Sequence, residues 1–303
     1  MLNAIFSVSF LNSVLRMMTP ITFAALAACI GRQSDIMCIA YEGMMMFAAL
    51  GGALGSAFTH SLLLGSLIGI VSGMAIAMIF AYFVLYLDTR PMLIAIALNT
   101  IGTAGTIYIL YLLTGRKSDS LTMSSLTFPD VTIPFIKNIP FLGDVLSGQN
   151  VLTWLAIVMV FVVNALIYKT SFGLRMRSVG QNPSAAVSLG INVRRTKFIA
   201  MTMSGFLASL GGLFMSMAYM PYFTKNMVAG RGFMALAACN LAAGRPLVAF
   251  LAAIVFGMAD SIGNISQAFR LPAQFAASIP YLVTIIGLCF MGVGENKVKK
   301  AKK

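Results

Sequence analysis

A chain of 303 residues in which 59% are hydrophobic and only 10% are charged departs far from the roughly 25% charged content of soluble domains. Its net charge of +13 could suit a nucleic-acid binder, but the cations gather at the ends of apolar segments and in the tail. That is the positive-inside pattern of a membrane protein, so no nucleic-acid partner is expected.

At about 20 apolar residues per crossing, the apolar segments hold roughly eight to ten spans and leave no length for a soluble catalytic domain. The first stretch, residues 5–30, contains Arg16 and closes on Gly31-Arg32-Gln33-Ser34-Asp35. Leu26-Ala27-Ala28-Cys29 imitates a lipoprotein cleavage box, yet it recurs at Leu236-Ala237-Ala238-Cys239. Because Met1 to Ser13 lacks a basic leading region, no cleaved signal is expected. The second stretch, residues 36–58, holds Glu42 with Gly43, Gly51, Gly52 and Gly55. Small residues and a charge in one apolar segment predict close helix contact or a helix break facing the bundle interior.

Residues 62–87 form a third span, ended by Asp88-Thr89-Arg90-Pro91, and residues 92–113 a fourth. On the fourth, Asn99, Thr103 and Thr106 share one helical face, which serves either interhelical hydrogen bonding or the lining of a path for a neutral solute. Residues 115–150 form a long loop in which Arg116, Lys117 and Lys137 balance Asp119, Asp130 and Asp144. A neutral loop belongs on the extracytoplasmic side.

The fifth span, residues 151–168, leads into a polar run, residues 172–197, that carries Arg175, Arg177, Arg194, Arg195 and Lys197 without one acidic residue. This run is cytoplasmic by its charge. Within it Asn182-Pro183 starts a short helix and Gly190 stops it. After a span at 198–220, Arg231-Gly232 precedes an apolar run, 233–243, too short to cross. Residues 247–262 cross, Asp260 and Asn264 form a pair at the span's end, 263–277 is a mixed loop, and 279–293 returns to a basic tail, 295–303, on the cytoplasmic side.

The fold class is therefore an all-α polytopic membrane protein with about nine crossings and broken helices. Residues 1–303 form a single transmembrane domain, with the N-terminus outside and the C-terminus inside. Thr22 to Gly55 and Ser204 to Gly244 echo one another, each an apolar helix, a polar break and a Gly/Ala helix. About four spans lie on either side of the central one, which predicts an inverted repeat.

Glu42 and Arg231 fall at corresponding positions of that repeat. A charge at mid-membrane costs roughly 2.5–3.5 kcal/mol on insertion scales, so both residues either satisfy helix ends or line a path. With Asn99, Thr103 and Asn240 they make up the candidate path set. Cys29, Cys38, Cys239 and Cys289 show no C-x-x-C spacing, and His60 is the one histidine. Neither a metal site nor hydrolytic chemistry is expected. Gly115-Arg116-Lys117-Ser118 lacks the upstream glycine of a phosphate-binding loop, so ATP is not expected to bind here.

Phe172-Gly173, Arg175, Arg177, Val179-Gly180, Asn182, Ala185-Ala186, Gly190-Ile191 and Lys197, followed by Ser204 to Gly212, resemble the cytoplasmic loop and next span of ABC-importer permeases for simple sugars and nucleosides. Ile39-Ala40-Tyr41-Glu42-Gly43-Met44-Met45 is similar to a segment of the nucleoside-type members. The resemblance covers about residues 5–294. It implies a permease subunit in a bacterial plasma membrane, not an enzyme, that forms a pathway for a nucleoside or simple sugar. Its implied partners are an ATP-binding subunit that holds ATP and Mg, a second permease subunit (identical or homologous), an extracytoplasmic substrate-binding protein and the lipid bilayer. Gly173, Arg175, Arg177, Gly180, Asn182, Ala185, Ala186 and Gly190 would form the coupling helix region that docks on the ATP-binding subunit. The alternative from the residues alone is an ion-coupled secondary transporter, with Glu42 as its only serious coupling carboxylate.

Overall fold

The computed structural model describes residues 8–121, 123, 125–131, 148–268 and 282–283. Its first helix, α1 (Val8–Gln33), runs through Arg16 and Pro20 without ending. Residues 34–40 are not helical, and α2 (Tyr41–Thr59) starts immediately before Glu42. The interruption expected around Glu42-Gly43 thus lies just ahead of it, and Glu42 sits in the first turn of a helix, where a carboxylate is favoured.

Next come α3 (Leu62–Tyr86), α4 (Pro91–Thr114) and α5 (Val151–Lys169). In the polar run the short helix expected after Asn182-Pro183 is present as α7 (Pro183–Ser188), and it is preceded by a further helix, α6 (Ser171–Gln181). From there α8 (Val193–Phe214) continues as one π-helical turn over Met215–Tyr219, a feature often found at functional sites. Last are α9 (Arg231–Leu241) and α10 (Pro246–Ala268), so residues 263–268, expected in a loop, extend a helix. The expected final span at 279–293 and the tail at 295–303 lie outside the described residues, apart from 282–283.

Among the described residues six helices are long and apolar enough to cross a membrane. They are not equivalent. The most apolar window of α1 is 89% buried within the chain, against 33% for α3 and 28% for α4. A helix so enclosed is the axis of the bundle, whereas α3 and α4 turn most of their apolar side chains outward, as lipid contact requires.

Without a hydrophobic drive between helices in lipid, contact depends on close packing of small residues. Gly65, Gly69 and Gly73 recur at four-residue intervals along α3. A methyl group added to Gly65 would stand 2.6 Å from Ser56 N, and one added to Gly69 would stand 2.8 Å from Ala48 O. This ladder seats α3 against α2.

The loop after α4 is stitched to the turn after α8. Ser120 N donates to Phe223 O at 2.9 Å, Lys225 N to Ser118 O at 2.9 Å, and Phe128 N to Met217 O at 2.8 Å. Two short antiparallel strands, β1 (Asp130–Val131) and β2 (Gln149–Asn150), pair with Asp130 opposite Asn150. Asn150 then caps α5 by accepting from Leu152 N at 3.1 Å. Most of the segment between the strands, with Pro134, Pro140 and the aromatic residues near them, lies outside the described residues.

Gly69→Val is expected to lower stability by about 1–3 kcal/mol through overpacking against backbone, whereas Leu67→Val, at a position 58% exposed, should be near neutral. Thermal unfolding in detergent compares the two.

Candidate functional site

Two constellations stand out. The first is a hairpin at the cationic end of the bundle. Thr170 caps α6 by accepting from Gly173 N at 3.1 Å, and Asn182 caps α7 by accepting from Ala185 N at 3.1 Å. Pro183 follows at the first helical position, where its missing N–H costs nothing. Gly190, with φ +76, closes α7, as the left-handed C-terminal stop requires. Asn192 caps α8 by accepting from Arg195 N at 2.9 Å.

The predicted coupling residues occupy this hairpin together, but in different surroundings. Gly173 packs on the backbone end of α5, and Gly180 lies so close to Gln33 O and Asp35 N that α6 is seated on the turn after α1. Lys197 reinforces that seat by donating to Asp35 O at 3.0 Å. Ala186 is buried, Arg175 and Ala185 are exposed, and Arg177 lies over the Tyr168 ring at 5.1 Å. Val187 and Leu189 are 60% and 78% exposed. These two apolar side chains are exposed on the hairpin that joins the ends of α5 and α8.

The second constellation is inside the bundle. Glu42 Oε1 accepts from Gly230 N at 2.8 Å and Oε2 from Gly232 N at 2.9 Å, so the carboxylate caps α9 from a different helix. A buried anion there is stabilised by unpaired N–H groups and by the helix dipole. Gly230, with φ +81, turns the backbone so that these N–H groups converge. Arg231 donates to Asp260 Oδ2 at 2.8 Å, so Asp260 is matched to α9 instead of forming the expected pair with Asn264. Asn264 instead faces Met17 Sδ at 3.7 Å.

On the other side of the same break, Asn99 accepts from Gly43 N at 2.9 Å and donates to Ile39 O at 2.9 Å. Glu42, Asn99 and Arg231 thus gather where α2 and α9 begin. Thr103 lies one turn along α4, its hydroxyl bonded to its own helix at Asn99 O and Thr100 O. Asn240 stands apart at the far end of α9, bonded to Arg32 at 2.7 Å.

Among the described residues, six long apolar helices and a capped polar hairpin make a polytopic helical membrane protein, and comparison with known proteins specifies which kind. Residues 10–291 match the family described as branched-chain amino acid transport system / permease component, and the chain belongs to that family. Similar proteins include a guanosine ABC transporter permease of Bacillus subtilis, 30% identical over 89% of this chain and 87% of the relative. A putative glucose ABC transporter permease of Haloferax volcanii is 27% identical over 98% of this chain and 95% of the relative. A nucleoside ABC transporter permease of Lactococcus lactis is 28% identical over 90% and 89%.

Among solved structures, PsaBC from Streptococcus pneumoniae in complex with Fab gives a TM-score of 0.52 at 14% identity, covering 91% of this chain and 89% of that one. An inward-facing putative metal-chelate type ABC transporter gives 0.51 at 14%, covering 97% and 87%. At that identity the likeness concerns the fold. The chain is a multi-pass membrane subunit of an ABC transporter.

Removing Arg231 alone leaves Asp260, whose side chain is 15% exposed, without its cationic partner. Arg231→Met should cost about 3–5 kcal/mol, and adding Asp260→Leu should recover most of it. A double-mutant cycle on thermal unfolding measures the difference. Glu42→Ala, which strips two buried N–H groups of their acceptor, should cost about 3 kcal/mol in the same assay.

Proposed function

We propose that this permease forms the pathway of an ATP-driven importer for a nucleoside or simple sugar, and that the α6–α7 hairpin receives the work of ATP hydrolysis from a separate subunit. The observation that carries this is the hairpin itself. It is capped at each helix start, exposes Val187 and Leu189 outward, and is seated through Gly180 on the turn that ends the central helix. A push on α7 therefore reaches α1 through helix and close backbone contact, with no slack loop between. ATP and Mg belong to the partner subunit, and ligand capture belongs to an extracytoplasmic binding protein.

The charge pattern supports placing the hairpin, residues 172–197, and the tail, 295–303, in the cytoplasm of a bacterial cell, with the loop at 115–150 and the N-terminus outside. We read residues 1–303 as one permease domain of about nine crossings, counting with the six long helices α2, the final apolar stretch and a broken crossing whose helical half is α9. The meeting of α2 and α9 at their interrupted starts supports an inverted repeat, since transporters of that plan place broken helices against one another near mid-membrane. A second permease subunit, identical or homologous, completes the pathway. The names of the relatives, among them transporters of guanosine, of nucleosides and of glucose, support the substrate class.

In proteoliposomes with the partner subunits, Gly180→Val should leave ATP hydrolysis running while uptake falls at least about tenfold, because the seat on residues 33–35 is lost. Asn182→Ala, which removes the cap of α7 at about 1 kcal/mol, should weaken capture of the ATP-binding subunit. Full uptake by vesicles without ATP would overturn the reading in favour of an ion-coupled carrier.

A further inference from the structure

Two cavities follow one another along the seam between α5 and α8. The first, of about 580 Å³, lies at the base of the hairpin, between Phe172 and Arg175 of α6, the turn from Leu189 to Asn192, and Arg195, Thr196 and Ile199 of α8. The second, of about 200 Å³, lies between Met159, Val163 and Leu166 of α5 and Thr202, Met203 and Phe206 of α8, with α1 and α3 completing its wall. Ile199 on the first wall and Thr202 on the second are three residues apart, about 4.5 Å along the axis. Arg195, Ile199, Thr202 and Phe206 share one helical face, so the cavities are two levels of one groove.

The levels differ in chemistry. Arg175 and Arg195 are exposed, and among the described residues neither guanidinium enters an ion pair or a hydrogen bond. No carboxylate lines this cavity among those residues, Asp35 lying instead against Lys197. The other polar side chains are already engaged, Asn192 Oδ1 accepting from Arg195 N at 2.9 Å and the Thr196 hydroxyl donating to Asn192 O at 2.9 Å. Carbonyls of the turn add dipoles but no charge, so two cations are left without a counter-charge. In the deeper cavity Thr202 is the one polar side chain among the described residues, and its hydroxyl donates to Phe198 O at 3.0 Å, within its own helix.

A free anion, or an acidic side chain of another protein, would satisfy the arginines and leave the apolar level unfilled. A zwitterionic lipid would fill both levels but bring a cation to two cations. An anionic head on an acyl chain matches the whole groove, and basic recesses between membrane helices are places where such headgroups bind. The depth agrees. Lys169 ends α5 and Phe172 follows within one turn, which puts the arginines at headgroup level and Thr202 to Phe206 within the span.

We infer that the α5–α8 seam is a binding site for an anionic glycerophospholipid, its phosphodiester between Arg175 and Arg195 and one acyl chain along Ile199, Thr202 and Phe206. A lipid so placed bridges the hairpin and the two spans that the hairpin joins. The site is independent of the solute carried.

The test is photolabelling of the permease–ATPase complex in phosphatidylcholine nanodiscs that contain a trace of phosphatidylglycerol with a photoreactive acyl chain, the labelled peptides being mapped by mass spectrometry. Label should concentrate on residues 159–166 and 202–206. Excess phosphatidylglycerol should compete, whereas phosphatidylcholine, glycerol 3-phosphate and inorganic phosphate should not. Arg175→Gln combined with Arg195→Gln should lower labelling about thirtyfold, the worth of two cations beside an anionic headgroup. Met203→Trp, which fills the seam from α8 and leaves both arginines in place, should remove the label as fully. Equal labelling of these peptides by photoreactive phosphatidylcholine, labelling unchanged by the variants, or equal competition by either soluble phosphate would each overturn the site. Labelling seen only without the ATP-binding subunit would also overturn it, by assigning the arginines to that interface. ATP-driven uptake separates this from the permease reading: uptake without specific labelling removes the site alone, and specific labelling without uptake keeps the site and removes the importer.

Discussion

A carboxyl group buried in an apolar bundle must have hydrogen-bond partners, and here they come from the backbone of another helix. Glu42 meets the open N-terminus of α9 with both oxygens. Neither half of this arrangement is stable alone, since α9 would begin with unpaired N–H groups and the Glu42 carboxyl would be buried without partners. Joined, they permit two helices to begin inside the bundle. Asn99 does the same for the opposite side of the break by bonding Ile39 O and Gly43 N from α4. The backbone beside the break is thus bonded by protein side chains at Ile39 O, Gly43 N, Gly230 N and Gly232 N, the kind of pairing that lets interrupted helices be tolerated at membrane depth.

From this centre the connections run toward the cationic end. Arg231 lies at the level of Met17 and Asn240 at the level of Arg32, so α9 travels alongside α1 in the same direction. Its 11 residues cover about 16 Å, roughly half of the hydrocarbon thickness. α1 therefore meets near its middle, at Met17, the helix that starts at the break, and at its C-terminal end the seat of the α6–α7 hairpin. Buried along most of its length, it is placed to convey a displacement, and the outward faces of α3 and α4 are left to lipid.

Much of this was legible in the residues. Apolar runs bounded by Gly, Pro and charge gave the six long helices to within a few positions in most cases, because length and hydropathy dominate in lipid. Asn182-Pro183 and Gly190 marked α7 because caps act locally. Helix α6 was missed because its polar composition, with Arg175, Arg177 and Ser178, reads as a loop, while its stability comes from packing on α5 through Gly173 and on the α1 turn through Gly180. The partners of Glu42, Arg231 and Asn240 could not be read either. Sequence flags an expensive buried charge without saying which distant backbone satisfies it, and the local pairing of Asp260 with Asn264 was a plausible substitute for a contact to α9.

The seat of Gly180 on residues 33–35 fixes more than position. Each residue added to or removed from an α-helix turns everything beyond it by about 100° and shifts it about 1.5 Å along the axis. A single-residue insertion between Gly173 and Gly180 would rotate the glycine off its backbone neighbour and bring a side chain into a gap with no room for one. The length of α6 is consequently a constraint on how this chain can diverge, in a region where the basic composition alone would suggest that length is free to drift.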